Sequence, residues 1–545
     1  MMARKWEAAV ALLLYVVTAW VLLAHGASPM DHIFGLTSDP YSTIWCLRYL
    51  PWAIAHHQLM PVTHLVWQPY GINLAWVTSV PLFGLFTAPI TLTFGPVLSF
   101  NLLTLAAPAL AGWATYFLCL EIGELPWAAM LGGFIFAFSS YEAAQSFDHL
   151  NLDFTALLPL ILLVALRRLR GRAGRGHTVL WLGLLLGTEF LISEEILATA
   201  CLFGAICFLL AYIFETPRRP AMRALALDIV FAAPVALLLT APILLAMAGD
   251  IYDVEHPALW VESFSVDALN LLLPTESSWL GGRAFLPWSE AFSGALDEQM
   301  GYLGLPVLLL LGLVLANAKL RRTLWLPLSM FGLALLASLG PVLHVAGHNT
   351  GIILPWALIA RLPLLGAALP ARCMVFAFLA LSIIVSFWLS VQLGAGRVLL
   401  ALCVCLSLLP APHPAPTAPA SAFFRPGRVQ QILGSHPTLL ILPFSINGPS
   451  SFWQAENEFG FTQVGGYLGF PPHWAQNDPA VTQLWSGKLT PGFTQDLTSM
   501  AERWGADYVV AGPGTPADQR ATLATLGWRA QNVDDVTIYA VPKVP

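Results

Sequence analysis

The chain has 545 residues, 57% of them apolar and only 10% charged, with a formal net charge of -6. Soluble domains carry roughly a quarter charged residues, so this composition cannot clothe a water-exposed surface of such a size. The small negative balance, with no basic tract outside short loops, leaves no case for a nucleic acid partner. The seven cysteines lie mostly inside apolar blocks with no spacing that suggests a disulfide frame or a zinc site.

Apolar blocks of about 17 to 25 residues, the length that crosses a bilayer core, alternate with short polar joints. The first, 7–25, follows Arg4 and Lys5 and reads as a span; a signal peptide ending at the small residues after His25 is the alternative. Lys and Arg in short joints mark the cytoplasmic side. Arg167, Arg168, Arg170, Arg172 and Arg175 make one such joint, Arg218, Arg219 and Arg223 a second, Lys319, Arg321 and Arg322 a third, and Arg397 a fourth. Five apolar blocks precede the first joint, at 7–25, 78–95, 97–120, 127–146 and 154–166, and five crossings would leave its arginines outside. The block 78–95 is broken by Pro81, Gly84, Pro89 and Gly95 and is rich in threonine, so it reads as a re-entrant or interfacial helix. The later spans are 178–193, 196–214, 224–249, 302–318, 323–345, 372–393 and 398–411, which brings the total to eleven.

The expected fold is thus an all-α polytopic membrane protein, residues 1–411, with its N-terminus cytoplasmic and long outer loops at 27–96, 250–301 and 346–371. A Pro- and Ala-rich linker over 412–428 leads to a soluble extracytoplasmic domain over 429–545. There Leu439 to Phe444, Tyr508 to Ala511 and Val536 to Val541 read as strands, and Thr515-Pro516-Ala517-Asp518 opens a helix, which predicts a small α/β fold.

Ionisable residues near a membrane are costly to keep and are functional candidates by default. The first outer loop carries Thr37-Ser38-Asp39-Pro40, a stretch 41–57 with the pattern of an interface-lying helix, and His64-Leu65-Val66-Trp67-Gln68-Pro69. Asp39 is either a turn or helix cap before Pro40 or a reactive carboxylate. The second outer joint carries Glu142 and Phe147-Asp148-His149; Asp148 and His149 read as metal ligands, an acid pair or a solvated turn. Glu194 and Glu195 form a third acidic joint. In the late loop a short amphipathic helix begins at Leu354-Pro355-Trp356 and ends at Arg361-Leu362-Pro363, and Arg372 enters the next span. Arg361 and Arg372 either clamp a phosphate with paired hydrogen bonds or snorkel to lipid headgroups.

This layout resembles the GT-C superfamily of membrane glycosyltransferases. Thr37-Ser38-Asp39-Pro40 sits where that superfamily has its first acidic motif and Phe147-Asp148-His149 where it has its second, while Leu362-Pro363 to Arg372 is similar to the late loop of bacterial YfhO-type members. The likeness spans roughly residues 1–410; the Trp-Trp-Asp motif of oligosaccharyltransferases and a Lys-Pro-Pro run in the first loop are absent. The resemblance implies an inverting transfer from a polyprenyl-phosphate-linked sugar to a glycan, lipid or protein acceptor at the outer face of a bacterial inner membrane. It also implies Asp39 as general base with Asp148 and His149 at the catalytic centre. His64, Gln68, Glu194, Glu195, Arg361 and Arg372 would contact substrate, and Asp148 could bind Mg2+ or Mn2+. A lipid or sugar-lipid transporter, or a non-catalytic envelope-assembly protein, is the competing reading. Transporters are expected to show paired half-repeats, which the sequence does not.

Overall fold

A computed structural model describes residues 2–36, 38–58, 61–249, 258–362 and 365–542. Thr37, Pro363 and part of the 250–301 loop, all of which entered the sequence reading, lie outside the described residues. Every one of the eleven expected spans contains a helix, and six helices are long and apolar enough to cross a membrane: Lys5–Ala24, Pro96–Gly123, Leu150–Leu169, Glu194–Phe214, Thr216–Gly249 and Pro370–Val391. The chain is a membrane protein on this evidence. The other five segments carry shorter helices, Pro126–Ala137, Arg175–Phe190, Gly304–Ala316, Trp325–Ser338 and Ala395–Leu408. Two expected spans end early for identifiable reasons. The block 127–146 stops at Ala137 because Ser139 turns extended and caps a new helix, accepting from the Glu142 amide. The block 323–345 stops at Ser338 and gives way to an antiparallel hairpin of Val342–Val345 with His348–Ile353.

Two compact units form, and they do not divide at the Pro- and Ala-rich linker. One comprises 1–28, 102–240 and 256–415; the other comprises 29–101, 241–255 and 416–545. The first outer loop therefore folds with the tail and not with the helical bundle, a boundary that differs from the one at 412–428 expected from composition.

In the helical unit, Met374–Val391 is buried along almost its whole length and forms the axis of the core. It passes close to Pro126–Ala137 because Gly132 leaves no side chain there; a Cβ at Gly132 would come within 3.0 Å of the Ser382 carbonyl. The first helix packs along one face only, with Leu13, Val17 and Trp20 exposed on the other. Its Tyr15 hydroxyl donates to the Met130 carbonyl at 2.7 Å, and the Trp113 indole donates to Ala8 at 3.0 Å. The arginine joint expected on the cytoplasmic side is gathered around two buried carboxylates and keeps a net positive charge. Arg167, Arg170 and Arg172 surround Glu121, and Arg168 and Arg175 share Asp228, whose side chain is 2% exposed.

The second unit is built on a mixed five-stranded sheet in the order Thr462–Gln463, Thr438–Leu442, Tyr508–Ala511, Val536–Ala540, Ala530–Val533. The first two neighbouring pairs are parallel and the last two antiparallel. The three strands expected from sequence are present, and the helix opened at Thr515 runs as Ala517–Thr525. Two short strands, 462–463 and 530–533, are additional.

The first loop completes this sheet's edge. The Gln463 amide donates to Leu65, and the Gln68 and Trp67 amides donate to Gln463 and Gly465 at 2.8–3.0 Å. The helix Asp39–Ala55 packs on the tail through Trp45, whose indole donates to Gln454 at 2.8 Å and whose ring stacks on Tyr49 and meets Phe459 edge-on. The block 78–95 forms two short helices, Pro81–Phe86 and Ala88–Phe94, of roughly 10 Å each at 1.5 Å per residue. Neither can span a bilayer, yet Phe86 is 72% and Leu92 61% exposed. Among the described residues beyond Leu406, no large apolar side chain is exposed. Apart from 241–255, the exposed large apolar side chains of this unit therefore lie on its 29–101 segment, with the two short helices carrying the most exposed of them, Phe86.

Candidate functional site

Four helices of the helical unit begin close to ionisable side chains: Leu150–Asp153 follows His149, Glu194–Phe214 starts with Glu194 and Glu195, Gly304–Ala316 follows Asp297 and Glu298, and Met374–Val391 follows Arg372. Helix N-termini carry unpaired amides and a partial positive charge, which favours Glu194 and Glu195 in the first turn of their helix. Tertiary packing brings the four starts together. Arg372 donates from Nε to Glu298 Oε1 at 3.0 Å and reaches Glu195 with its other arm. Glu195 also accepts from the Leu369 amide at 2.9 Å. His149 Nδ1 lies 3.7 Å from Asp297 Oδ2, and Gln145 donates to the Asp297 carbonyl at 3.0 Å.

Three carboxylates and one guanidinium leave this cluster with an excess of negative charge. Glu298 is 3% exposed, and burial pushes its carboxyl above the ordinary range while the Arg372 charge beside it acts in the opposite direction. Its Oε2 is buried and has no donor among the described residues. His149, Asp297 and Glu298 each offer one ligand atom, all within 4.8 Å of one another. A buried acceptor without a donor, two carboxylates and an imidazole make a donor set that fits a divalent cation. The nitrogen ligand suits Mn2+ better than Mg2+, which prefers oxygen.

The sequence-based candidates are distributed as follows. His149, Glu195 and Arg372 join the cluster. Asp148, expected as the metal ligand, is buried beside it but is not one of the three residues whose ligand atoms converge. Glu194 and Arg361 are exposed. Glu142 is buried and accepts from the Thr155 hydroxyl.

Asp39, His64 and Gln68 belong to the other unit. Asp39 is half-buried in the first turn of Asp39–Ala55, where Ser38 holds the cap position without a side-chain cap bond. Its Oδ1 accepts from the Tyr467 hydroxyl. His64 and Gln68 brace their own turn: the His64 ring faces the Pro69 carbonyl at 3.2 Å, and the Gln68 amide donates to the His64 carbonyl.

Sequence reasoning missed Asp297, Glu298 and Tyr467. The signal for the first two was weak: they form an adjacent acidic pair like Glu194 and Glu195, but six residues ahead of the helix Gly304–Ala316 rather than in its first turn. Nothing local marks Tyr467.

The profile of a family described as a domain of unknown function, DUF6311, matches residues 6–409. No curated protein matches the chain in sequence. Among solved structures, the arabinofuranosyltransferase AftD from Mycobacteria superposes with a TM-score of 0.59 at 13% identity, covering 99% of this chain and 40% of its own. The oligosaccharyltransferase of Archaeoglobus fulgidus in the apo form superposes with a TM-score of 0.54 at 12% identity, covering 96% of this chain and 71% of its own. This chain therefore spans less than half the length of the mycobacterial enzyme. At such identities the likeness is one of fold alone, a fold shared with these two solved transferases.

Proposed function

The chain belongs to the DUF6311 family, and from the fold of its matched segment we propose that it is a membrane glycosyltransferase using a polyprenyl-phosphate-linked sugar. The observation that carries this reading is the meeting of His149, Asp297, Glu298, Glu195 and Arg372 at the starts of four helices of a GT-C fold.

In the proposed transfer an acceptor hydroxyl oxygen attacks the anomeric carbon, the bond from that carbon to the phosphate oxygen breaks, and polyprenyl phosphate leaves. A single displacement inverts the anomeric centre. Asp39 takes the proton of the acceptor hydroxyl. His149, Asp297 and Glu298 would hold a divalent cation, whose chemistry there would be to supply positive charge near the leaving phosphate. Arg372 is already committed to Glu195 and Glu298, so we assign it to holding those carboxylates in place, and we assign contact with the leaving phosphate to the exposed Arg361. The acceptor is a glycan, lipid or protein hydroxyl, and the reaction takes place at the outer face of a bacterial inner membrane.

The test uses the full-length protein in lipid nanodiscs with a panel of synthetic polyprenyl-phosphate hexoses and pentoses. Release of polyprenyl phosphate by the wild type, abolished in Asp39→Asn, is expected. Passage of the intact sugar-lipid across vesicles with no cleavage would favour the transporter reading instead.

A further inference from the structure

The loop Val464-Gly465-Gly466-Tyr467-Leu468-Gly469 of the tail is built to fix one side chain. Gly465 and Gly466 adopt φ of +115° and +106°, a region that disfavours any residue with a Cβ. A Cβ at Gly465 would meet the Phe444 ring at 2.5 Å, and one at Gly466 would meet Val66 at 2.8 Å. The backbone of Tyr467 is gripped on both sides by one serine: Ser451 Oγ donates to its carbonyl at 2.8 Å and accepts from its amide at 2.9 Å. Ser445 Oγ holds the preceding carbonyl, that of Gly466, at 3.0 Å. The ring packs against Trp485 with 6.0 Å between centroids. All of this constraint ends in a phenol hydroxyl that donates to Asp39 Oδ1.

The partner helix is fixed just as firmly at this point. Ser38, the residue before Asp39, donates its hydroxyl to the Ile446 carbonyl, and Tyr41 packs its ring on Phe452 at 5.9 Å. A plain core tyrosine needs neither two positive-φ glycines nor a two-way serine clamp.

We propose that Tyr467 is a positioning residue for Asp39, so that the tail is a working part of the enzyme. By holding Oδ1, the hydroxyl fixes the rotamer of the carboxylate that takes the acceptor proton. The inference rests on Asp39 being the base proposed above. Positioning acts on the chemical step, because a carboxylate that rotates freely spends less time in reach of the proton to be removed.

The experiment compares wild type, Tyr467→Phe, Ser451→Ala and Asp39→Asn in nanodiscs with a short-chain synthetic polyprenyl-phosphate sugar that the wild type cleaves. Tyr467→Phe removes one oxygen and is expected to lower kcat about 10- to 100-fold, the range of one charge-assisted hydrogen bond, with KM within about twofold. Ser451→Ala keeps the hydroxyl but loosens its mount, and is expected to lower kcat by a smaller factor, so the idea stays testable if Tyr467→Phe folds poorly. Wild-type kcat in both variants while Asp39→Asn is dead would overturn the positioning role alone. An active Asp39→Asn would overturn the base assignment and this inference with it.

Discussion

Arg372 Nε and Glu298 Oε1 stand 3.0 Å apart with the Glu298 side chain 2% exposed and that of Arg372 14% exposed. Removing one member of a pair so buried leaves its partner charged without compensation, at a cost of about 3–5 kcal/mol. Arg372→Ala is therefore expected to lower the thermal unfolding midpoint of the purified protein strongly. Arg361→Ala, on an exposed side chain, should leave it nearly unchanged. Equal midpoints for the two variants would contradict the pairing.

The convergence of His149, Asp297 and Glu298 predicts binding of Mn2+. A ligand that binds only the folded state at a hundred times its Kd stabilises by about 2.7 kcal/mol, so MnCl2 should raise the unfolding midpoint of the wild type. The same titration on Asp297→Asn or His149→Ala is expected to give little or no rise. A rise of equal size in all three proteins would place the ion elsewhere.

His413 provides a pH test. It lies outside the membrane-spanning segments, with its ring edge-on to Phe147 at 4.6 Å and its Nδ1 2.8 Å from the Ala411 carbonyl. Burial pushes its pKa below the ordinary 6.5, more than the Ala411 contact raises it. The unfolded chain then takes up the proton first on acidification. This group's contribution is present above about pH 6.5, is lost as pH falls towards the depressed value, and is flat below it. His413→Gln should remove that component from a plot of unfolding midpoint against pH between about 5 and 8, and an unchanged slope would refute it.

Gly466→Ala tests the loop that carries Tyr467. The added methyl would meet Val66 at 2.8 Å at a φ of +106°, and a side chain held there costs on the order of 1–3 kcal/mol. Limited proteolysis should cut the tail faster in this variant than in Gly487→Ala, where the φ is also positive but no atom lies within 4 Å of the new carbon. Identical cleavage rates would mean the loop is not constrained as described.

Much of this organisation was legible in the sequence because it rests on patterns short enough to read along the chain. Apolar run length placed a helix in every expected span, and the proline and glycine breaks of 78–95 divide that block into two short helices. Alternation of β-branched residues located three of the five tail strands. The two that escaped are Thr462–Gln463, only two residues long, and Ala530–Val533, which lacks an apolar pattern.

The site was legible only in part, for a different reason. Charge and position singled out Asp39, His149, Glu195 and Arg372 as ionisable groups kept near a membrane at a cost. The sequence could not say that Arg372 pairs with Glu195 across 177 residues and with Glu298 across 74, nor that Asp39 meets Tyr467 across 428. Such pairings depend on which helix starts pack together and on how a glycine turn aims one ring. The run lengths and strand patterns of this sequence determined a bundle of apolar helices followed by a small mixed-sheet tail. Tertiary structure decided that the first loop joins the tail, because only packing reveals that residues 65–68 complete a sheet edge whose strands lie nearly four hundred residues away.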